Sequence, residues 1–298
     1  MKCFSSPAYT AVLPPGHPFP MSKFADSAAM IRDAGIADVR DPGVICETDL
    51  LRVHTADYVR SIRTGEYNPL TSLRLGLPWH PTIAARSFAA TAGTLAAARA
   101  ALHEGIAANL AGGTHHAFAD RGEGYCVFND VAVAIAALRQ DEPLLHCMVI
   151  DLDAHQGNGT AALLAGDTLS FTYSLHVGVN YPSRKEQSTL DVEVTRYAGA
   201  EEYFARLEAT LPGAVERFEP DLVFYNAGVD VHEDDRFGQM KLTAEDLLAR
   251  DTFVLTTCRR HCIPTVTVYG GGYNRVEGMT AKLHVQTVTA AAEAIGRT

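Results

Sequence analysis

The stretch that decides the fold is Met148-Val149-Ile150-Asp151-Leu152-Asp153-Ala154-His155-Gln156-Gly157-Asn158-Gly159. An apolar run passes directly into carboxylates and an imidazole spaced two apart. Residues two apart on a strand share a face, so Asp151, Asp153 and His155 are expected to project together from the end of a buried strand. Charged groups in so apolar a setting are unfavourable unless they bind something, and a cation is the obvious partner.

Working outward, further short apolar runs predict strands at 107–110, 145–150, 169–174, 222–225 and 265–268. Helical patterns separate them at 130–138, 159–164, 201–218 and 244–261, with one more before the first strand at 82–103 and a last at 276–295. Gly105, Gly166 and Pro220 stand where these segments should stop. Apolar strands that do not alternate, interleaved with helices, predict a three-layer αβα fold around a mostly parallel sheet covered on both faces. No linker, repeat or low-complexity segment interrupts the chain, so one domain is expected over residues 1–298.

The polar motifs follow the strands. Gly112-Gly113-Thr114-His115-His116 follows the first predicted strand, and 151–158 the second. Asn226-Ala227-Gly228-Val229-Asp230 follows the fourth, and Tyr269-Gly270-Gly271-Gly272-Tyr273 the fifth. Ligands of open α/β sheets bind beyond the carboxyl ends of the strands, so four such clusters are expected to share one crevice.

Composition narrows the classes. The 298 residues are 47% hydrophobic with a net charge of -10, which gives ample core and no basic stripe for nucleic acid. No apolar run approaches a membrane span. The N-terminal Phe4 and Val12-Leu13 are broken by Pro14-Pro15-Gly16, a poor signal peptide. Six scattered cysteines without a Cys-x-x-Cys pair predict reduced thiols and a cytoplasmic protein. Cys258 and Cys262, at helical spacing, are expected to be small buried residues.

The chemistry follows from residue types. Asp153 and His155 are the local metal-ligand pair, and Asp230, after a strand and small residues, is the best distant third. Alone, Asp230 would be read as a helix cap; with the other clusters it is read as a ligand. Three O and N donors suffice for a catalytic zinc with an open position. Asp151 is expected behind a neighbouring imidazole rather than on the metal. His115 and His116 suit acid–base work, with Asp151 and Asn158 available to bond one ring each. Tyr273, delivered by three glycines, is placed to donate to a developing oxyanion. Neither 270–272 nor Gly122-Glu123-Gly124 matches a phosphate or dinucleotide loop. The parts describe metal-assisted hydrolysis of an amide.

These motifs resemble the histone deacetylase superfamily, which has the arginase/deacetylase fold. The matching segments are Gly113-Thr114-His115-His116-Ala117, Gly124-Tyr125-Cys126-Val127-Phe128-Asn129-Asp130, 151–159, 226–230 and 270–273. Weaker similarity reaches His17-Pro18-Phe19 and Val53-His54-x-x-x-Tyr58. The form of 151–159, and Tyr225-Asn226-Ala227-Gly228 followed by Glu233-Asp234-Asp235-Arg236-Phe237-Gly238, look most like class IV enzymes and their bacterial relatives.

The resemblance implies zinc on Asp153, His155 and Asp230. It implies His116 as general base and acid, His115 as its electrostatic partner and Tyr273 as the carbonyl-polarising residue. It places Asp151 behind His115 and also at a structural potassium site with Ser174. Gly124, Tyr125 and Tyr181 match positions lining the tube for the acyl-lysine stem, and Phe237 is a further candidate wall. Asn158 stands where class I enzymes carry Asp, which predicts a lower His116 pKa. The rim Asp that anchors substrate backbone in the family has no clear counterpart.

The leading expectation is a zinc-dependent amidohydrolase acting on acyl-lysine in a protein or peptide, acetyl or longer. A deacetylase of acetylpolyamines or other small acylated amines is the second. A ureohydrolase shares the fold but needs a second Asp where Gly157 stands. An acyl-lysine reader without catalysis would lack a ligand, base or tyrosine, and all are present.

Overall fold

A computed structural model of the chain describes residues 1–66 and 69–296. Eight strands form one sheet: β1 (Lys2–Phe4), β2 (Asp38–Arg40), β3 (Ile106–Asn109), β4 (Cys147–Asp151), β5 (Ser170–Val177), β6 (Leu190–Val194), β7 (Leu222–Asn226) and β8 (Thr265–Val268). Their spatial order is β2-β1-β3-β8-β7-β4-β5-β6, and every pairing is parallel.

Alternation within each strand shows why the sheet is covered twice. Cys147 and Val149 of β4, with Leu222 and Phe224 of β7, join one apolar cluster; Met148, Ile150, Val223 and Tyr225 join another on the opposite face. The first cluster is closed by helices over Ser22–Asp33 (α1), Glu47–Leu50 (α2), Ala56–Thr64 (α3), Pro69–Leu75 (α4), Pro81–Glu104 (α5) and Asp130–Leu138 (α6). After the short Asn158–Leu163 (α7), Ala200–Phe218 (α8) and Ala244–Arg260 (α9) close the second. Met279–Gly296 (α10) packs on α9 and α1. This is the three-layer α/β fold, with all strands parallel.

Local chemistry sets the ends of these elements. Pro81 opens α5 at a position where its missing N–H is not needed, and Gly105 closes it at a φ of 86°. Thr243 and Asp246 form a capping box on α9. The α9 helix ends at Arg260, so Cys262 lies beyond it at a φ of 55° and is exposed; the expected buried pair holds only for Cys258. All six cysteines are free. β2 is an edge strand, and the segment after it runs over the surface with Val44 85% exposed.

The motif-bearing strands β3, β8, β7 and β4 are consecutive at the centre of the sheet. Their carboxyl ends therefore open on one place. No helix among the described residues is long and apolar enough to cross a membrane.

Candidate active site

The pleat does not bring Asp151, Asp153 and His155 together. Strand β4 ends at Asp151, and the following residues turn. Asp151 Oδ1 accepts from Asp153 N at 3.2 Å, and Asp153 Oδ1 accepts from His155 N at 3.0 Å. These short side-chain turns curl the loop, a local bonding habit of Asp. Asp153 and His155 then meet Asp230, while Asp151 faces another way.

Asp153, His155 and Asp230 offer ligand atoms all within 4.8 Å of one another, and all three residues are buried. His155 Nδ1 lies 3.0 Å from Asp153 Oδ1 and 2.9 Å from Asp230 Oδ2. Gly271 N donates to Asp153 Oδ2 at 2.8 Å and Ala154 N to Asp230 Oδ1 at 2.9 Å, which orients both carboxylates. A Cβ at Gly271 would lie 2.6 Å from Asp153 Oδ2 and overlap Asp230 Oδ2, so only glycine lets this loop approach. Burial, together with the charge of Asp153, pushes Asp230 up to about 7. Burial opposes the charge on Asp153 too, but His115 and His155 hold it well below the usual carboxylate range. Two buried carboxylates around one imidazole carry an excess of negative charge and are a fitting donor set for a divalent cation.

His115 and His116 follow the turn after β3, with ring centroids 4.0 Å apart. Asp130, at the start of α6, accepts from Gly113 N at 3.1 Å and Thr114 N at 2.8 Å and fixes that turn. His115 Nδ1 donates to Asp151 Oδ2 at 2.7 Å, and Asn226 Nδ2 donates to Asp151 Oδ1 at 2.9 Å. Burial opposes a charge on His115, but Asp151 and Asp153 outweigh it and raise the ring to about 9. His116 Nδ1 donates to Asn158 Oδ1 at 2.7 Å. Burial, then the neighbouring His115 and His155, push His116 well below its ordinary value.

One cavity of about 380 Å³ is lined by His115, His116, Asp153, His155, Asp230 and Tyr273. Its walls also include the expected Gly124, Tyr125, Tyr181 and Phe237. Tyr181 stands perpendicular to His116 at 4.9 Å between centroids, and Phe237 and Tyr125 flank Tyr273 at 5.2 and 5.6 Å. Tyr125 holds a left-handed φ of 68°, and the preceding Gly124 packs its Cα against the His116 ring. Burial keeps the Tyr273 phenol protonated far above its ordinary range.

Asp151, Asn158 and Ser174 do not line the cavity. The first two stand behind the histidines. Ser174 pairs in register with Asp151 across β4 and β5, but its hydroxyl bonds His176 Nδ1 at 2.9 Å. A side chain at Gly157 would collide with Asp151, so the second carboxylate of a two-metal site has no room there.

Several cavity residues escaped the sequence reading. Phe19 and Phe24 come from the N-terminal segment, and Arg86 from α5. Asp235, part of the acidic stretch 233–238, does not line the cavity but is buried behind its wall and takes three backbone donors: Tyr273 N at 2.6 Å, Phe237 N at 2.8 Å and Gly238 N at 3.0 Å. An Asp two residues before an aromatic-glycine pair was the available signal for this turn.

The histone deacetylase domain profile matches residues 17–290, nearly the whole of the chain. The chain belongs to the histone deacetylase family. A histone deacetylase 2 from Arabidopsis thaliana is 30% identical over 277 residues, covering 86% of this chain and 70% of that protein. An uncharacterised protein from a Picosynechococcus strain is 38% identical over 270 residues, covering 90% of each chain. An acetoin utilization protein AcuC from Staphylococcus aureus is 25% identical, covering 87% and 73%. The crystal structure of the HDA15 HD domain superposes with a TM-score of 0.81 at 21% identity, covering 99% of this chain and 88% of that one; it shows the shared fold. Membership in this family supports a deacetylase-type hydrolase.

Proposed function

We propose that this histone deacetylase relative is a zinc-dependent hydrolase of acyl-lysine. The observation that carries the reading is the single cavity in which the Asp153–His155–Asp230 group, His116 and Tyr273 all present their side chains. Asp153, His155 and Asp230 would hold the zinc. Zinc bound there supplies Lewis acidity, polarising a carbonyl and lowering the pKa of water.

The chain's own groups do the rest. His116 gives its Nδ1 proton to the Asn158 carbonyl oxygen, so Nε2 carries the free lone pair. Its depressed pKa keeps that nitrogen bare at neutral pH. His116 Nε2 takes a proton from the attacking water and returns it to the departing lysine nitrogen. His115, held charged by Asp151, adds positive potential beside it. The Tyr273 phenol remains protonated and donates to the developing oxyanion.

The cavity lining also favours acyl-lysine over a polyamine. Arg74, Arg86 and Arg236 line it, and the only carboxylates among the lining residues are Asp153 and Asp230. A polycation has no counter-charge left once those two hold a metal. The same reading includes a structural potassium beside Asp151 and Ser174, and a cytoplasmic location.

His116→Ala and Tyr273→Phe should each lower kcat by about 10²–10⁴-fold, the usual range for an acid–base or oxyanion group, while zinc content stays equal to the parent. Full activity in both variants sinks the mechanism. Hydrolysis of acetylspermidine faster than of every acyl-lysine peptide would instead favour the polyamine reading.

A further inference from the structure

The cavity has two ends of different character. At the mouth, Arg74 and Arg236 are exposed and Tyr181 is 40% exposed. At the inner end, Phe24 and Arg86 are buried. Arg86 is 4% exposed, yet its guanidinium makes no hydrogen bond and no ion pair among the described residues, and its Nε is left without any partner. Its close neighbours are the faces of Phe24 and Phe19, 4.7 and 5.3 Å from the guanidinium carbon.

A second buried cation lies beside it. Lys23 is 2% exposed, and its ammonium reaches only the carbonyls of Gly270 and Gly272, at 3.3 and 3.5 Å. It too sits over Phe19 and Phe24, and over Tyr273 at 5.5 Å. By contrast, the other buried guanidinium, Arg250, is paired with Asp251 at 2.8 Å. Nearby Asp130 is committed to Thr94, Gly113 and Thr114. Aromatic faces attract a cation but accept none of the in-plane N–H bonds of a guanidinium. Arg86 lines the cavity and Lys23 stands behind the same aromatic rings, so this end is positive, and a planar guanidinium is suited to a carboxylate.

Phe19 packs on Tyr273 at 5.7 Å and lies 5.3 Å from the Arg86 guanidinium carbon, so an acyl group whose carbonyl is held by Tyr273 has Arg86 within reach of its far end. We propose that the inner end is a carboxylate subsite, and that the preferred substrates are lysines bearing a short dicarboxylic acyl group of the succinyl or glutaryl class. This rests on the acyl-lysine reading above. The reaction balances as simple hydrolysis. Water oxygen bonds to the acyl carbon, the C–N bond breaks, the nitrogen takes the proton, and a dicarboxylate leaves beside free lysine.

The test compares zinc-loaded enzyme on peptides carrying succinyl- or glutaryl-lysine with the uncharged terminal-amide analogues of the same length. The charged substrates should show at least a tenfold advantage in kcat/KM, mostly in KM. Arg86→Gln should erase that advantage, and Arg86→Lys should restore part of it. Equal or poorer use of the charged substrates by the parent enzyme overturns the subsite, whether or not the Arg86 variants fold. So does a parent that ignores acyl charge but is inhibited by free acetate through Arg86, since the subsite would then serve only departing product. Calorimetric binding of the same peptides to His116→Ala separates the two readings. If no peptide is hydrolysed by the parent, the deacylase reading falls. Tighter binding of the charged peptide would still uphold the subsite, and equal binding would overturn it.

Discussion

His116 and Asn158 show how one atom tunes a base. The Asn158 oxygen orients the imidazole through a 2.7 Å bond but brings no full charge to stabilise its cation. Replacing it with a carboxylate adds that charge next to Nδ1 and raises the His116 pKa, typically by 1–3 units for a close opposite charge. The base must be neutral to act, so the acid limb of the kcat/KM profile should move to higher pH in Asn158→Asp. An unmoved limb means that His116 is not the titrating base. Activity at mildly acidic pH should therefore be an advantage of the native Asn.

At the scale of elements, the glycine loop after β8 is the most exacting piece. Gly271 lies against the carboxylates of Asp153 and Asp230 and donates its N–H to Asp153. Gly271→Ala should retain the circular-dichroism spectrum of the fold while losing bound zinc and at least 10²-fold of activity. Normal zinc content in that variant would show that the loop is not what shapes the ligands. Asp235 ties this loop to the neighbouring wall, so Asp235→Ala should lower kcat through a misplaced Tyr273, with Asp235→Glu recovering little because the turn fits only the shorter acid.

The same elements explain what was legible in the sequence. Strands β3, β4, β5, β7 and β8 are buried on both faces; β3, β4 and β7 read as largely apolar runs, β5 and β8 as β-branched and aromatic residues mixed with small polar ones, and the polar clusters after four of the five drew attention to Asp153, His155, Asp230 and the two histidines. β1 and β2 are three residues each, and β6 alternates Leu190-Asp191-Val192-Glu193-Val194, so none carried that signal. Lys23 lies on α1, which carried no sequence signal, and Arg86 on α5; only the packing of these helices buries the two cations. The spacing of Asp151, Asp153 and His155 suggested a shared face, but the strand ends at the first of them and only Asp153 and His155 meet Asp230.

For the molecule as a whole, two buried carboxylates converging on an imidazole link metal binding to stability. Free zinc at 1,000 times its dissociation constant stabilises a fold by ~4 kcal/mol. Chelation should then lower the melting temperature by roughly 8 °C, taking ~2 °C per kcal/mol for a large chain. An unchanged transition would exclude a tight metal. Acid should destabilise the fold by a separate route. His54 is buried and pushed down to about 4, with Nδ1 on the Phe118 carbonyl and Nε2 accepting from Asn129 N at 3.0 Å. It stays neutral in the fold while the unfolded chain protonates near 6.5. Stability is therefore lost as pH falls from about 6.5 toward 4, by up to ~1.4 kcal/mol per pH unit from this group. Urea midpoints should fall over that window, and less steeply in His54→Gln.

The order of strands also says where the molecule can be handled. All the motif-bearing strands are central, while β2 lies at the margin, separated from β3 by β1. The exposed surface segment around Val44 follows that margin. Because β2, β1 and β3 are parallel, that segment leaves from the same end of the sheet as the cavity and is displaced from it only sideways. A fluorophore attached at Val44 would thus share the cavity's end of the molecule and report on what approaches it, whereas a surface tether there would turn that end toward the support.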